Sequence, residues 1–125
     1  MSEATLLRAC RDYLRMLPSC VAFRLNSGMA MRGKYPIQLA PPGAPDIIAV
    51  WHGRAIGIEC KAATTVAKKY AGKRAQGAAQ IVFQQAWEAA GGVYLLVLDL
   101  DDLIRWVEAQ PAACPCARCR RAATR

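Results

Sequence analysis

Asp46, Glu59 and Lys61 have the types and spacing of a hydrolytic site. Side chains along a strand point to opposite faces in turn. In Ala55–Lys61, Ile56, Ile58 and Cys60 therefore share one face, and Gly57, Glu59 and Lys61 share the other. The carboxylate and the ammonium then sit ~7 Å apart along the strand, twice the rise per residue. Asp46 follows Pro45 and heads the preceding apolar run, Asp46–Trp51. A hairpin turning at His52-Gly53-Arg54 sets the start of the first run beside the end of the second, which brings Asp46 near Glu59 and Lys61. Two carboxylates held close repel each other unless a positive group lies between them. A hard divalent cation, Mg²⁺ or Mn²⁺, suits such oxygen ligands. Lys61 beside it is placed to hold or help deprotonate an attacking water, or to stabilise charge on a scissile phosphate. The chemistry expected is phosphodiester hydrolysis. Two plainer readings stand beside it: Asp46 as a turn residue after proline, and Glu59 with Lys61 as a solvated pair on an edge strand.

The charge balance agrees with an anionic substrate. The 125 residues carry 17 Lys and Arg against 9 Asp and Glu, a net +8, which favours a polyanionic partner: nucleic acid or an anionic membrane surface. The longest apolar runs, Ile47–Trp51 and Val93–Leu98, are far shorter than the roughly 20 residues of a membrane span. The start, Met1-Ser2-Glu3-Ala4-Thr5, has neither a basic nor an apolar leader segment. Six cysteines then suit a reducing cytoplasm, as thiols or metal ligands. A cytoplasmic protein is expected, associated with the nucleoid when on DNA. An apolar content of 54% is enough for one packed domain and rules out wholesale disorder.

The elements that must position the three residues follow from periodicity. Ser2 caps a helix to about Leu17, with Leu6, Leu7, Cys10, Tyr13, Leu14 and Leu17 as its apolar stripe, and Pro18 stops it. Val21–Asn26 alternates and reads as a strand. Ser27–Ala44 reads as a long loop, a type of segment that is usually functional or mobile. The two runs of the hairpin come next, then a polar, basic loop over Ala62–Gly72. Lys73–Ala90 reads as a helix with Ala79, Val82, Phe83, Ala86, Trp87 and Ala90 on its apolar side. Gly91-Gly92 ends it before a buried strand, Val93–Leu98, and a last helix, Asp99–Glu108. The order is α-β-β-β-α-β-α, an α/β fold with a small mixed sheet flanked by helices. Residues 1–110 form the domain and 111–125 a basic, cysteine-bearing tail, expected to be flexible.

Gly43-Ala44-Pro45-Asp46 and Ile58-Glu59-Cys60-Lys61, with 12 residues between the two acids, resemble the PD-(D/E)XK nuclease signature. Lys73–Gly92, with Gln80, Phe83 three residues on, and Ala90-Gly91-Gly92 opening a strand, is similar to the virus-type replication-repair nuclease (VRR-NUC) family. The resemblance covers roughly Glu3 to Glu108. It implies a restriction-endonuclease-like core and a metal-dependent DNA endonuclease. Asp46, Glu59 and the backbone carbonyl of Cys60 would ligate Mg²⁺ or Mn²⁺. Lys61 would position the nucleophilic water, and Gln80 would support the site from its helix. Glu3 matches the glutamate that family members place in the first helix near the metal, which makes it a further candidate ligand, and its place on the stripe with Leu6, Leu7, Cys10 and Leu14 turns it inward. A first-turn residue favoured by the helix dipole is the plainer reading of Glu3. The substrates implied are branched, flapped or four-way DNA in replication, repair or recombination, and a two-fold dimer would suit cutting of two strands. The chain's compactness resembles phage-encoded members. A DNA-binding module without activity and a sequence-specific restriction-type enzyme are the competing functions.

Basic residues flank the expected site on both sides. Arg32 and Lys34 lie in the loop before Asp46; Lys68, Lys69, Lys73 and Arg74 lie after Lys61. Both groups are expected to contact a phosphate backbone. Tyr35 or Tyr70 offers a ring for stacking on a base. His52 reads as a solvated turn residue, and Phe83 and Trp87 read as core. Cys114, Cys116 and Cys119 fall short of the four ligands of a structural zinc site, so the tail reads as added nonspecific affinity for DNA, with a zinc site or a site shared between chains as the alternatives.

Overall fold

The computed structural model of the chain describes residues 1–26, 28–62 and 77–111. Helix α1 (Glu3–Met16) starts where Ser2 Oγ accepts a hydrogen bond from the Thr5 N–H at 3.1 Å. It ends at Leu17, which Pro18 holds in an extended conformation. Leu6, Cys10 and Leu14, on one side of it, are buried. Strand β1 (Cys20–Arg24) follows, starting one residue earlier and ending two residues earlier than the Val21–Asn26 pattern suggests.

The segment read as a loop holds two strands. β2 (Met29–Arg32) and β3 (Tyr35–Gln38) pair antiparallel, Met29 opposite Gln38 and Arg32 opposite Tyr35. Gly33 takes a φ of +62° at the first turn position, as a type II′ hairpin needs. Pro36 argues against a strand in a sheet interior. It is tolerated here because a two-stranded ribbon consists only of edges.

β4 (Ile47–Trp51) and β5 (Arg54–Cys60) form the expected hairpin, in register Ile47 to Ile58 and Trp51 to Arg54. Its turn is His52-Gly53 alone, both left-handed with φ of 50° and 78°, the signature of a type I′ turn. β6 (Val93–Val97) lies parallel to β5 on the far side, giving a four-stranded sheet in the order β1-β4-β5-β6. β5 is therefore an interior strand, buried from Ile56 to Cys60, and the edge-strand reading of Glu59 and Lys61 is corrected.

Helices α2 (Gly77–Ala89) and α3 (Leu100–Ala109) complete the described elements. α1 and α3 cover the sheet face bearing Ala22, Ile47, Ala49, Ile56, Ile58, Cys60 and Val97, where the main core lies. α2 lies over the opposite face near β6. The described order is α-β-β-β-β-β-α-β-α, which adds the β2–β3 ribbon to the expected series. The inward side of α2 also differs from expectation: Val82 is exposed, while Gln80, Phe83, Gln84 and Trp87 turn inward. Phe83 and Trp87 are half-buried outside the main core and stack at 5.6 Å, and Trp87 Nε1 donates to the Val93 carbonyl at 2.9 Å. Among the described residues no helix is long and apolar enough to cross a membrane.

Candidate functional site

The site forms where β4 begins and β5 ends. The Leu25 N–H donates to the Asp46 carbonyl at 2.8 Å, extending the β1–β4 ladder by one residue. Continuing the β4–β5 register one step beyond Ile47–Ile58 sets Asp46 opposite Glu59 on one face. The Asp46 side chain replaces the missing ladder: Oδ2 accepts the Cys60 N–H at 2.8 Å. Oδ1 accepts no hydrogen bond from any described residue.

Glu59 is 4% exposed. Its Oε1 faces Lys61 Nζ at 3.0 Å and accepts from Gln80 Nε2 at 2.8 Å. The ammonium thus folds back onto the carboxylate instead of standing a full two-residue repeat away. The Lys61 backbone N–H donates to the Val97 carbonyl at 3.0 Å, which fixes the end of β5 against β6. Charge pairing with excellent geometry is what a buried carboxylate requires.

Glu3 comes to the same place from α1. Its Oε1 accepts the Ala62 N–H at 3.3 Å. N–H groups alternate in direction along a strand, so those of Cys60 and Ala62 point to the β4 side and that of Lys61 to the β6 side. Asp46 and Glu3 therefore occupy successive donors of β5 beyond the point where β4 starts. Burial holds the Asp46 carboxyl above its ordinary pKa, and the nearby Glu3 charge adds to this. The Cys60 N–H, Lys61 and Arg24 act in the opposite sense.

Close packing behind the motif explains its small residues. Gly43, with φ +79°, presses on the backbone of α2, where an added Cβ would meet Gln80 N at 2.7 Å. Pro45 is fully buried over Gly57, where an added Cβ would meet Pro45 Cγ at 2.8 Å. The turn before Asp46 and the α2 turn bearing Gln80 are thus locked together over the sheet.

The two carboxylates and the Cys60 carbonyl, which points to the same side as its N–H, are hard oxygen donors. They fit a cation of the Mg²⁺ type, which is commonly held by one or two carboxylates and completes its shell with water. Among the described residues no group of three His, Cys, Asp or Glu side chains is placed to hold a metal.

Two neighbours escaped the sequence reading. Arg24, at the end of β1, acts electrostatically on Asp46. A basic residue closing the strand next to that of Asp46 was the available signal. Tyr94 lies opposite Gly57 in β6. Its buried hydroxyl has no hydrogen-bond partner among the described residues. Burial, then the charges of Glu59 and Asp46, push its pKa up. Its cross-strand register with Gly57 was invisible without the parallel pairing.

Arg32 and Lys34 lie at the tip of the β2–β3 ribbon, exposed, and make no hydrogen bond or ion pair with the acidic residues of the site. Lys68, Lys69, Lys73, Arg74, Tyr70 and the Cys114, Cys116 and Cys119 cluster lie outside the described residues. His52 occupies the β4–β5 turn at the other end of the sheet, its ring 5.1 Å from that of Trp51. No family model matches the chain, and no curated protein matches it.

Proposed function

We propose that this protein is a divalent-metal-dependent deoxyribonuclease with a restriction-endonuclease-like core, of the VRR-NUC type its motifs resemble, acting on branched or flapped DNA. The observation that carries the reading is the buried Glu59 carboxylate, gripped by Lys61 and Gln80 in an interior strand, with Asp46 opposite on the next strand. A carboxylate, a second carboxylate and an amine at one sheet end are costly to bury and add nothing to the core. Such an arrangement is typical of a functional site.

Asp46 and Glu59, with the Cys60 carbonyl, would hold Mg²⁺ or Mn²⁺. When bound, the ion supplies Lewis-acid polarisation of the scissile phosphate. Lys61 then orients the attacking water through Nζ, which Glu59 holds in place. Gln80 donates from α2 to the same oxygen, Oε1, and gives the Glu59 carboxylate a second hold. Glu3 and Asp46 hold the backbone of β5 at Cys60 and Ala62, the frame on which Lys61 stands. The net charge of +8 favours the DNA polyanion. A dimer would suit two-strand cutting.

The test is cleavage of labelled linear, flap, splayed and four-way DNA with Mg²⁺ and with Mn²⁺. Metal-dependent cutting of the branched forms, lost in Lys61→Ala with DNA binding retained, is expected. Equal activity of wild type and Lys61→Ala after purification would defeat the proposal. DNA binding without cutting under any metal would make the protein a binding module.

A further inference from the structure

The β2–β3 ribbon stands apart from the rest of the described fold. It packs against no other described helix or strand. Its residues are nonetheless large: Met29, Met31 and Tyr35 are 63%, 66% and 76% exposed. An ordinary surface loop would not show so many large side chains to water. The ribbon leaves the sheet between Arg24 and Asp46, so its base lies at the end that carries the candidate site. The Leu39 N–H closes that base on the Gly28 carbonyl at 3.0 Å. Between Asp12 and Asp46 the sequence has no acidic residue and four basic ones, Arg15, Arg24, Arg32 and Lys34.

Register decides what the tip presents. Arg32 and Tyr35 are cross-strand partners, so guanidinium and phenol project from one face, side by side. Lys34 lies in the turn between them. A two-stranded ribbon has dimensions a DNA groove accepts. Exposed Met, Ile or Pro side chains are the type that wedge against base steps. An arginine plane and an aromatic ring both stack on bases that are already unstacked. Arm-on-arm contact with a second copy would bring like charges together, whereas a phosphate backbone complements them.

We propose that the β2–β3 hairpin is a DNA-clasping arm: Arg32 and Lys34 hold phosphates while Tyr35 stacks on a base left unstacked at a branch point, which directs the protein to duplexes interrupted beside the site. This deepens the nuclease reading and rests on its choice of DNA as partner, but not on cleavage. The experiment is fluorescence anisotropy in EDTA with a labelled four-way junction and a linear duplex of equal length. Tyr35→Ala is expected to weaken junction binding about tenfold, with little effect on the duplex. Arg32→Ala with Lys34→Ala is expected to weaken both and to flatten the salt dependence. Unchanged junction binding by Tyr35→Ala, or equal loss on both DNAs, would overturn the arm. So would a dimer that Met29→Ser with Met31→Ser dissociates while DNA affinity stays the same, since the occupant would then be a second copy. Metal-dependent cleavage is scored separately, so a protein that binds through Tyr35 without cutting refutes the nuclease alone.

Discussion

Gly43 packs against the Ala79–Gln80 peptide of α2 so closely that an added Cβ would overlap the Ala79 carbonyl and lie 2.7 Å from Gln80 N. This contact carries the pre-Asp46 turn onto the first described turn of α2 and sets the distance from which Gln80 reaches Glu59. A glycine in the motif thereby acts on a carboxylate sixteen residues away in sequence.

Gly43→Ala is expected to lower stability by about 2 kcal/mol, from positive φ and the clash with the helix backbone. Urea denaturation measures it. The same variant is expected to lose cleavage further than Gln80→Ala does, because it displaces the helix as well as the amide. Equal activity of Gly43→Ala and wild type would show that α2 does not set the site.

Lys61→Ala removes the ammonium from the buried Glu59 carboxylate while Gln80 Nε2 still donates to it. A loss of about 3 kcal/mol is expected, in the range for breaking a buried pair. Adding Glu59→Gln should restore most of that stability while cleavage stays absent. A double-mutant cycle by denaturation reads the coupling. Additive losses would mean that the pair is not coupled.

Asp46→Asn removes a desolvated charge while keeping an acceptor for the Cys60 N–H. The metal-free protein should be as stable as wild type or slightly more so. Mg²⁺ should raise the Tm of wild type and leave that of Asp46→Asn unmoved, since ligand binding stabilises only the state that binds. A shift of the same size in both would remove Asp46 from the cation site.

Asp102 tests the fold away from the site. Its carboxylate accepts the Leu98 and Asp99 N–H groups in the capping box of α3 and pairs with Arg105, and its pKa is lowered, the Leu98 bond being the main cause. A lowered pKa means stability that is present above the unfolded value and is lost as pH falls through the folded one. Asp102→Ala should cost about 1 kcal/mol at pH 7. The difference from wild type should shrink as pH falls below about 4, where the carboxyl of the unfolded chain begins to take up its proton. A pH-independent difference would assign the effect to helix propensity.

Much of the frame was legible in the residues themselves. α1 was readable because Ser2, the Leu6-Cys10-Leu14 stripe and Pro18 are all local signals. The β4–β5 hairpin was readable because the His52-Gly53 turn signal separates two short apolar runs, although Arg54 belongs to β5 and not to the turn. The ribbon was missed because Pro36 and the nearby Pro41, Pro42 and Gly43 outweighed the short alternation of Met29–Arg32. The inward side of α2 was misjudged because its face is chosen by Glu59, Gly57 and Gly92, none of them in the helix.

Local sequence determined which residues could form helices and strands, and strand parity put Glu59 and Lys61 on one face, since side-chain alternation is a property of the backbone alone. Only the tertiary structure decided that β5 is an interior strand, that Lys61 closes onto Glu59, and that Glu3, Gln80 and Tyr94 gather there. Those relations depend on which strands lie side by side and which helix covers which face. They are contacts between segments far apart in the chain, set by the packing of the whole.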